Sequence, residues 1–325
     1  MSTFPVTTST LAADALGIFL KKNYLLGDQF ECKLFRTGVN HTYFLDDTSS
    51  KYVVRVYCHK WRTKEEIEAE LSLLLLLKQN NLSISFPIAD KNEKLIQEIN
   101  APEGIRYVVL FSFAKGEKVR FMTEETCSTI GSLMAKIHQV TERKKIDRVT
   151  YNLDVLLTKS YQNLKPFFRE DLKSMQLIQQ MSSSISKTFQ TTTFSAEQKG
   201  IVHLDIWYDN LSVTKANEIT IFDFDNCGNG PLILDVGYFC KQLFFIETDK
   251  ELYESKVASF LKGYQKERPL SDAEIQLIPE AGASIFIYYL GVQAQRFDWS
   301  NIFLTENYLT MFVGRIKAWL DYYKK

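Results

Sequence analysis

The sequence has too few cysteines, and in the wrong pattern, for a disulfide framework or a structural zinc site. Its 325 residues include five cysteines, Cys32, Cys58, Cys127, Cys227 and Cys240, which are widely spread and form no Cys-x-x-Cys pair. Disulfide scaffolds and zinc sites use paired, closely spaced cysteines. We therefore expect these thiols to be free and buried.

An excess of charge of one sign is also missing. The chain has 39 Lys and Arg residues against 39 Asp and Glu residues, so its formal net charge is zero. A neutral protein has no bulk field that would draw it to nucleic acid or to an anionic membrane. We expect neither of these as a partner.

Long hydrophobic runs are absent as well. The longest apolar run, residues 71–77, is interrupted by Ser72 and is far shorter than the roughly 20 residues that span a bilayer. The first residues lack the basic start, apolar run and small-residue cleavage site of a signal peptide. The sequence therefore favours a cytoplasmic location.

The first 113 residues mix strand and helix patterns. An amphipathic helix is predicted at residues 11–26 and another at 64–79, which Thr63 can cap. Runs rich in β-branched and aromatic residues, bounded by turn residues, predict five strands. These strands are predicted at residues 30–36, 41–45, 52–58, 94–99 and 106–112.

From residue 114 onward the pattern changes to long helices, so we place a lobe boundary between residues 113 and 114. Helices are predicted at residues 123–139, 155–168 and 170–189 and through the last hundred residues, including 285–299. The predicted fold class is α+β, with an antiparallel sheet and one helix in the N-terminal lobe and a larger, mostly helical C-terminal lobe.

One segment, residues 203–210, carries a pattern suited to chemistry. Two short apolar runs bracket it, and a third run ends at Asp223, so a hairpin brings Asp205, Asn210 and Asp223 to one rim. Asp and Asn are also common in turns that do no chemistry. Phosphoryl transfer, however, needs such a set: one carboxylate to accept a hydroxyl proton, and an Asn and an Asp to hold Mg²⁺ on the phosphates.

This segment resembles the catalytic loop His-Gly-Asp-x4-Asn of the aminoglycoside phosphotransferase and choline kinase branch of the protein-kinase-like superfamily. Here it reads His203-Leu204-Asp205-x4-Asn210, with Leu204 where the family commonly has Gly. Residues 221–225 resemble the family's metal segment, and residues 228–237 resemble its Gly-Pro-x-x-x-Asp stretch. The resemblance implies a bilobal protein-kinase-like fold with ATP and Mg²⁺ as cofactors.

The resemblance also implies a role for each member of the motif. Asp205 is expected to be the catalytic base, and Asn210 and Asp223 are expected to bind Mg²⁺. The expected supporting residues are His203, Asp225 and Asp235. Residues 1–113 would then bind the nucleotide, and residues 114–325 would carry the catalytic loop and the acceptor site.

The nucleotide-binding residues are expected on the N-terminal lobe. Residues 38–43 resemble the family's nucleotide loop, which implies that Gly38 and Asn40 contact the nucleotide. A kinase also needs a cation on its third strand, usually a Lys paired with a helix Glu, and Arg55 occupies that strand position. We choose Glu70 as its partner because Glu70 lies within the apolar stripe of the predicted helix; Glu66, one turn earlier, is the alternative.

The phosphate acceptor is much less clearly marked. Residues 239–299 are rich in aromatic and aliphatic side chains, and Glu247, Glu280, Arg296 and Asp298 are among the charged candidates. A polycationic aminoglycoside calls for several carboxylates, and residues 281–299 hold no dense acidic cluster. Aromatic stripes at helical spacing are more often core than substrate contacts, so Tyr288, Tyr289 and Trp299 are left out of the predicted site.

Three functions remain compatible with the sequence. The first is a kinase that transfers the γ-phosphate of Mg-ATP to a small-molecule hydroxyl, on an amino alcohol, a homoserine-like compound, a sugar or an aminoglycoside. The second is a protein Ser/Thr kinase that resembles the bacterial stress-response kinases of this branch. The third is a nucleotide-binding pseudokinase, in which Arg55 and Leu204 mark lost turnover.

Overall fold

The structure is a computed structural model that describes residues 4–295 and 301–324. The chain divides into two compact units, Met1–Lys115 and Gly116–Lys325. The boundary falls two residues after the predicted one. Arg296, Asp298 and Trp299, which belong to the predicted acceptor wall, lie outside the described residues.

The first unit is built on a five-stranded antiparallel sheet with the strand order β1-β2-β3-β5-β4. Its strands are β1 (Glu31–Arg36), β2 (Asn40–Asp46), β3 (Lys51–Tyr57), β4 (Ile96–Ala101) and β5 (Gly104–Ser112). The turn between β2 and β3 closes as a hairpin because Asp47 accepts hydrogen bonds from the backbone N–H groups of Ser49 and Ser50.

Two helices accompany this sheet, α1 (Ala13–Tyr24) and α2 (Lys64–Gln79). The end residues of α2 are those that the sequence predicts, because Thr63 and Glu66 form a capping box at its N-terminus. Its buried face carries leucines and isoleucine together with one charged residue, Glu70. On the other helix, Leu16 and Leu20 join a core cluster with side chains of the sheet.

The second unit is mostly helical. Its helices are α3 (Glu124–Thr141), α4 (Ser160–Leu164), α5 (Lys173–Thr191), α6 (Ile233–Ile246), α7 (Lys250–Glu267), α8 (Asp272–Gln276), α9 (Ile278–Gln295) and α10 (Glu306–Tyr322). One predicted helix differs: residues Asp154–Lys159 wind as a π-helix, and the helix then ends at Leu164 rather than at residue 168. Within the described residues, none of the helices has both the length and the apolar character needed to cross a bilayer.

Two small antiparallel pairs of strands interrupt the helices. β6 (Lys199–Val202) pairs with β9 (Gly228–Pro231), and β7 (Leu211–Val213) pairs with β8 (Ile219–Ile221). The loop from β6 to β7 contains residues 203–210, and the loop from β8 to β9 contains residues 222–227. The strand pairing therefore brings the two predicted motif segments into one region of the second unit.

Candidate active site

The loop that follows β6 turns through a left-handed backbone conformation at Leu204. Its φ is 64°, although its side chain is fully buried. A non-glycine residue pays roughly 1–2 kcal/mol for this conformation. The turn must therefore be held by its surroundings. Leu204 is the position at which the family that the loop resembles commonly has glycine.

Asp235, in the first turn of α6, holds this turn. Its carboxylate accepts the backbone N–H groups of His203 at 2.8 Å and of Leu204 at 2.6 Å. The same carboxylate lies 3.1 Å from Nε2 of His138, whose other ring nitrogen is 2.7 Å from the hydroxyl of Tyr264. A buried carboxylate with several donors is a stable anchor, so Asp235 fixes where the loop begins.

His203 is buried and neutral. Its Nε2 lies 3.2 Å from the carbonyl of Phe222, so this nitrogen donates, and its Nδ1 accepts the N–H of Asp205 at 3.1 Å. Burial lowers the pKa of the imidazole, which favours this neutral tautomer. The imidazole of His203 therefore connects Asp205 in this loop to Phe222, the residue that precedes Asp223.

Asp205 has a donor on each carboxylate oxygen. Oδ1 accepts the hydroxyl of Tyr238 at 2.6 Å, and Oδ2 accepts Nδ2 of Asn210 at 2.8 Å. Burial raises the pKa of Asp205 to about 8; the negative charge of Asp223 adds to the rise, and the hydrogen bonds from Tyr238 and Asn210 oppose it. A carboxyl with a pKa near neutrality is well matched to proton transfer at neutral pH.

The chemistry of Asn210 and Asp223 fits a hard cation. The amide nitrogen of Asn210 is engaged by the carbonyl and the carboxylate of Asp205, which leaves its Oδ1 for a cation. Asp223 has φ 67° and is close enough to influence the pKa of Asp205. Among the described residues no group of three or more His, Cys, Asp or Glu side chains forms a metal site. Mg²⁺ would therefore take its remaining ligands from phosphate and water oxygens, as is usual for this ion.

Asp225, one of the predicted supporting residues, is buried in the middle of the loop between β8 and β9. Its backbone carbonyl accepts a hydrogen bond from the guanidinium of Arg148. Next to it, Asn226 donates to the hydroxyl of Tyr289 at 3.1 Å, and that hydroxyl in turn donates to the carbonyl of Leu204 at 3.2 Å. This chain of contacts links the two motif loops to α9.

In the first unit, Arg55 and Glu70 form a buried ion pair. Nη1 of Arg55 is 2.7 Å from Oε1 of Glu70, and the hydroxyl of Tyr57 donates to the other carboxylate oxygen at 3.0 Å. The Arg55 side chain is 11% exposed and that of Glu70 is fully buried. Glu66, the alternative partner, instead accepts the N–H of Thr63 in the capping box.

Gly38 and Asn40 lie at the turn into β2 and contact the end of β3. Oδ1 of Asn40 accepts the N–H of Cys58 at 3.3 Å, and the carbonyl of Gly38 is 3.9 Å from the Cys58 thiol. These contacts shape the turn itself. Contact of Gly38 and Asn40 with a nucleotide stays a prediction.

Sequence reasoning missed three side chains that contact the motif: His138, Tyr238 and Tyr289. Tyr289 was assigned to the core, and His138 and Tyr238 were not among the predicted site residues. Tyr238 follows Asp235 by three residues on α6, so it lies on nearly the same face of that helix. That spacing is the signal that would have revealed it.

Two carboxyl groups of the predicted acceptor wall, Glu247 and Glu280, carry little free negative charge. The carboxylate of Glu247 is 2.6 Å from the amine of Lys256, and both side chains are buried. Burial raises the pKa of Glu280, which favours its neutral form. These two carboxyl groups therefore provide no strong attraction for a polycation.

A family model described as the phosphotransferase enzyme family matches residues 31–270. A homoserine kinase of Rhodopseudomonas palustris is 25% identical over 297 residues, which cover 90% of this chain and 86% of the relative. An amicoumacin kinase, solved with AMP-PNP, Ca²⁺ and amicoumacin, superposes with a TM-score of 0.76 at 21% identity over 94% of this chain and 92% of its own. A microcompartment-associated aminopropanol kinase gives a TM-score of 0.75 at 19% identity, over 94% of this chain and 95% of its own. The structural likeness confirms the predicted kinase-like α+β fold.

Proposed function

Because this chain belongs to the phosphotransferase enzyme family, we propose that it transfers the γ-phosphate of Mg-ATP to a hydroxyl group of a small amino alcohol or hydroxy amino acid. Family membership confirms the predicted enzyme class, a phosphotransferase with an alcohol acceptor.

The observation that carries the proposal is the position of Asp205 between Tyr238 and Asn210, beside Asp223. Each carboxylate oxygen of Asp205 accepts one hydrogen bond and keeps a second lone pair for the acceptor hydroxyl. Asp205 then accepts the hydroxyl proton as the acceptor oxygen attacks the γ-phosphorus, and the bond to the β-phosphate oxygen breaks to release ADP.

The other residues of the motif position this base. Asp235 and His203 hold the backbone of the loop, and Asn210 and Asp223 offer oxygens to Mg²⁺. Bound magnesium would neutralise the charge on the transferred phosphate. In the first unit, Arg55, kept in place by Glu70, would bind the nucleotide phosphates with its guanidinium.

Two observations support a small acceptor over an aminoglycoside. The homoserine kinase and the aminopropanol kinase are named for substrates with one hydroxyl on a short carbon chain. In addition, Glu247 is neutralised by Lys256 and the pKa of Glu280 is raised, so neither carboxyl favours a polycation.

The test is ATP-dependent phosphorylation of a panel of amino alcohols, hydroxy amino acids, sugars and aminoglycosides. We expect Asp205→Asn to lower kcat by about 10²–10⁴-fold on the preferred acceptor, because it removes the general base. Asp209→Asn is the matched control, since Asp209 lies in the same loop and pairs with Lys118 at the surface; it should keep most of the activity.

Three results would redirect the proposal. Phosphate transfer to the protein itself or to a generic protein substrate, with no small acceptor modified, would identify a protein kinase. Binding of Mg-ATP without any turnover would identify a pseudokinase. Equal rates for wild type and Asp205→Asn would show that Asp205 is not the base.

A further inference from the structure

Lys241, on α6, has a buried amine with no hydrogen-bonding partner. The residue is fully buried, and Nζ makes no hydrogen bond in the part of the chain that the structure describes. Lys256, the other buried lysine among the described residues of this unit, is paired with Glu247. Lys241 therefore differs from an ordinary structural lysine.

The surroundings of this amine are aromatic. Nζ lies 2.9 Å from the centroid of the Phe286 ring on α9 and 4.7 Å from that of Phe245 on α6. Burial, and to a smaller extent the charge of Arg315 on α10, push the pKa of Lys241 well below its usual range. An apolar side chain of similar size would avoid this desolvation cost. A group that remains buried at such a cost is a candidate for function.

Lys241 shares a neighbour, Phe286, with the tyrosine that bonds Asp205. It follows Tyr238 by three residues, so the two side chains leave α6 on nearly the same face, about 4.5 Å apart along the helix axis. The hydroxyl of Tyr238 donates to Asp205, and Phe286 contacts both the amine and the Tyr238 ring, the latter at 5.8 Å between centroids. Phe286 and Tyr238 therefore connect the buried amine to Asp205.

We propose that the amine of Lys241 binds the carboxylate of the phosphate acceptor, which makes the acceptor a hydroxy acid of the amino acid type. The inference rests on the proposed function, because it takes the acceptor hydroxyl to lie beside Asp205. A carboxylate supplies the hydrogen-bond acceptor and the opposite charge that Nζ lacks.

Entry of an anion requires the side chain of Phe245 to move. This ring is partly exposed and contacts both the buried amine and, at 5.8 Å, the guanidinium of the exposed Arg315. Arg315 would attract the carboxylate at the surface, and rotation of Phe245 would then open the way to Nζ. Because an adjacent anion favours the charged amine, binding is accompanied by uptake of a proton by Lys241.

The experiment compares two acceptors that differ in the carboxylate, L-homoserine and 3-aminopropan-1-ol, with wild type and Lys241→Met. We expect Lys241→Met to raise KM for L-homoserine by more than about tenfold and to leave KM for 3-aminopropan-1-ol within about twofold of wild type. The variant should unfold at the same temperature as wild type or higher, because methionine fills the site without a polar atom. The control, Lys262→Met, removes an exposed amine and should change neither KM.

Calorimetry separates failure of this inference from failure of the proposed function. Titration of L-homoserine in two buffers of different ionisation enthalpy measures proton uptake without any turnover. If wild type takes up a proton when it binds L-homoserine and Lys241→Met does not, the result supports the carboxylate site, even if no phosphate is transferred. A preference of wild type for 3-aminopropan-1-ol, or equal effects of the substitution on both acceptors, would overturn the inference while the phosphotransferase stands. The absence of both phosphate transfer and L-homoserine binding would overturn the inference and the proposed function together.

Discussion

The hydroxyl of Tyr238 donates a hydrogen bond to Asp205, the proposed base, and itself accepts one from Gln242 at 2.8 Å. This donation lowers the pKa of Asp205, against the larger effect of burial. A hydrogen bond to a charged group is worth roughly 1.5–3 kcal/mol. A tyrosine outside the sequence motif therefore influences both the orientation and the protonation of the base.

Replacement of Tyr238 by phenylalanine should consequently weaken catalysis in a pH-dependent manner. The ring and its contacts with Phe286 and Tyr289 remain, but the pKa of Asp205 rises, so a larger fraction of the base is protonated at a given pH. We expect kcat to fall by about tenfold near neutral pH and the acid limb of the kcat profile to move to higher pH. Tyr288→Phe is the control, and identical pH profiles for Tyr238→Phe and wild type would contradict this role.

At the residue scale, the sequence located the members of the motif but not their neighbours. Asp205, Asn210 and Asp223 lie within 19 residues of one another, so local strand pairing is enough to bring them together. Tyr289 reaches this loop at Leu204 from 85 residues away in the sequence, and His138 reaches Asp235, which holds the loop, from 97 residues away. Such contacts depend on how α3 and α9 pack, which periodicity alone does not determine.

The ion pair of Arg55 and Glu70 joins α2 to the sheet of the first unit. Removal of one partner leaves a buried charge without compensation, which costs about 3–5 kcal/mol, whereas replacement of both by apolar residues is often nearly neutral. We therefore expect Arg55→Met to destabilise the first unit strongly and Arg55→Met/Glu70→Met to restore most of the free energy of unfolding. Chemical denaturation of the two variants measures this difference.

The double variant also separates structure from nucleotide binding. If Arg55 binds the phosphates, KM for ATP in the restored double variant should remain more than about tenfold above that of wild type. A normal KM for ATP in a stable double variant would assign Arg55 a structural role alone.

Element boundaries were predictable where local chemistry defines them. The predicted bounds of α2 are confirmed because Thr63 and Glu66 fix its start. The predicted α-helix at residues 155–168 was wrong, because its first part is a π-helix and it ends at Leu164. Ser160 donates its hydroxyl to the carbonyl of Val155, five residues earlier, at 3.1 Å, and the chain there winds with π rather than α periodicity. Such a local widening has no clear sequence pattern.

At the scale of the whole molecule, the sequence was sufficient for the fold class and the enzyme class. The strand-rich first part of the chain, followed by a long helical region, predicted the α+β fold. The motifs that resemble those of the phosphotransferase family predicted the enzyme class. Both predictions are confirmed. The acceptor could not be predicted in the same way. Its candidate contacts come from α6, α9 and α10, and the isolated amine of Lys241 becomes evident only when these helices are packed.

The five buried cysteines make the unfolding of each unit measurable by chemical labelling. Cys32 and Cys58 lie in the first unit, at 8% and 6% exposure, and Cys127, Cys227 and Cys240 lie fully buried in the second. A thiol reagent can modify each of them only after the surrounding chain has opened. In mass spectrometry we expect a species with two labels to appear before the species with five. A direct step from zero to five labels would instead mean that the whole chain opens in one cooperative event.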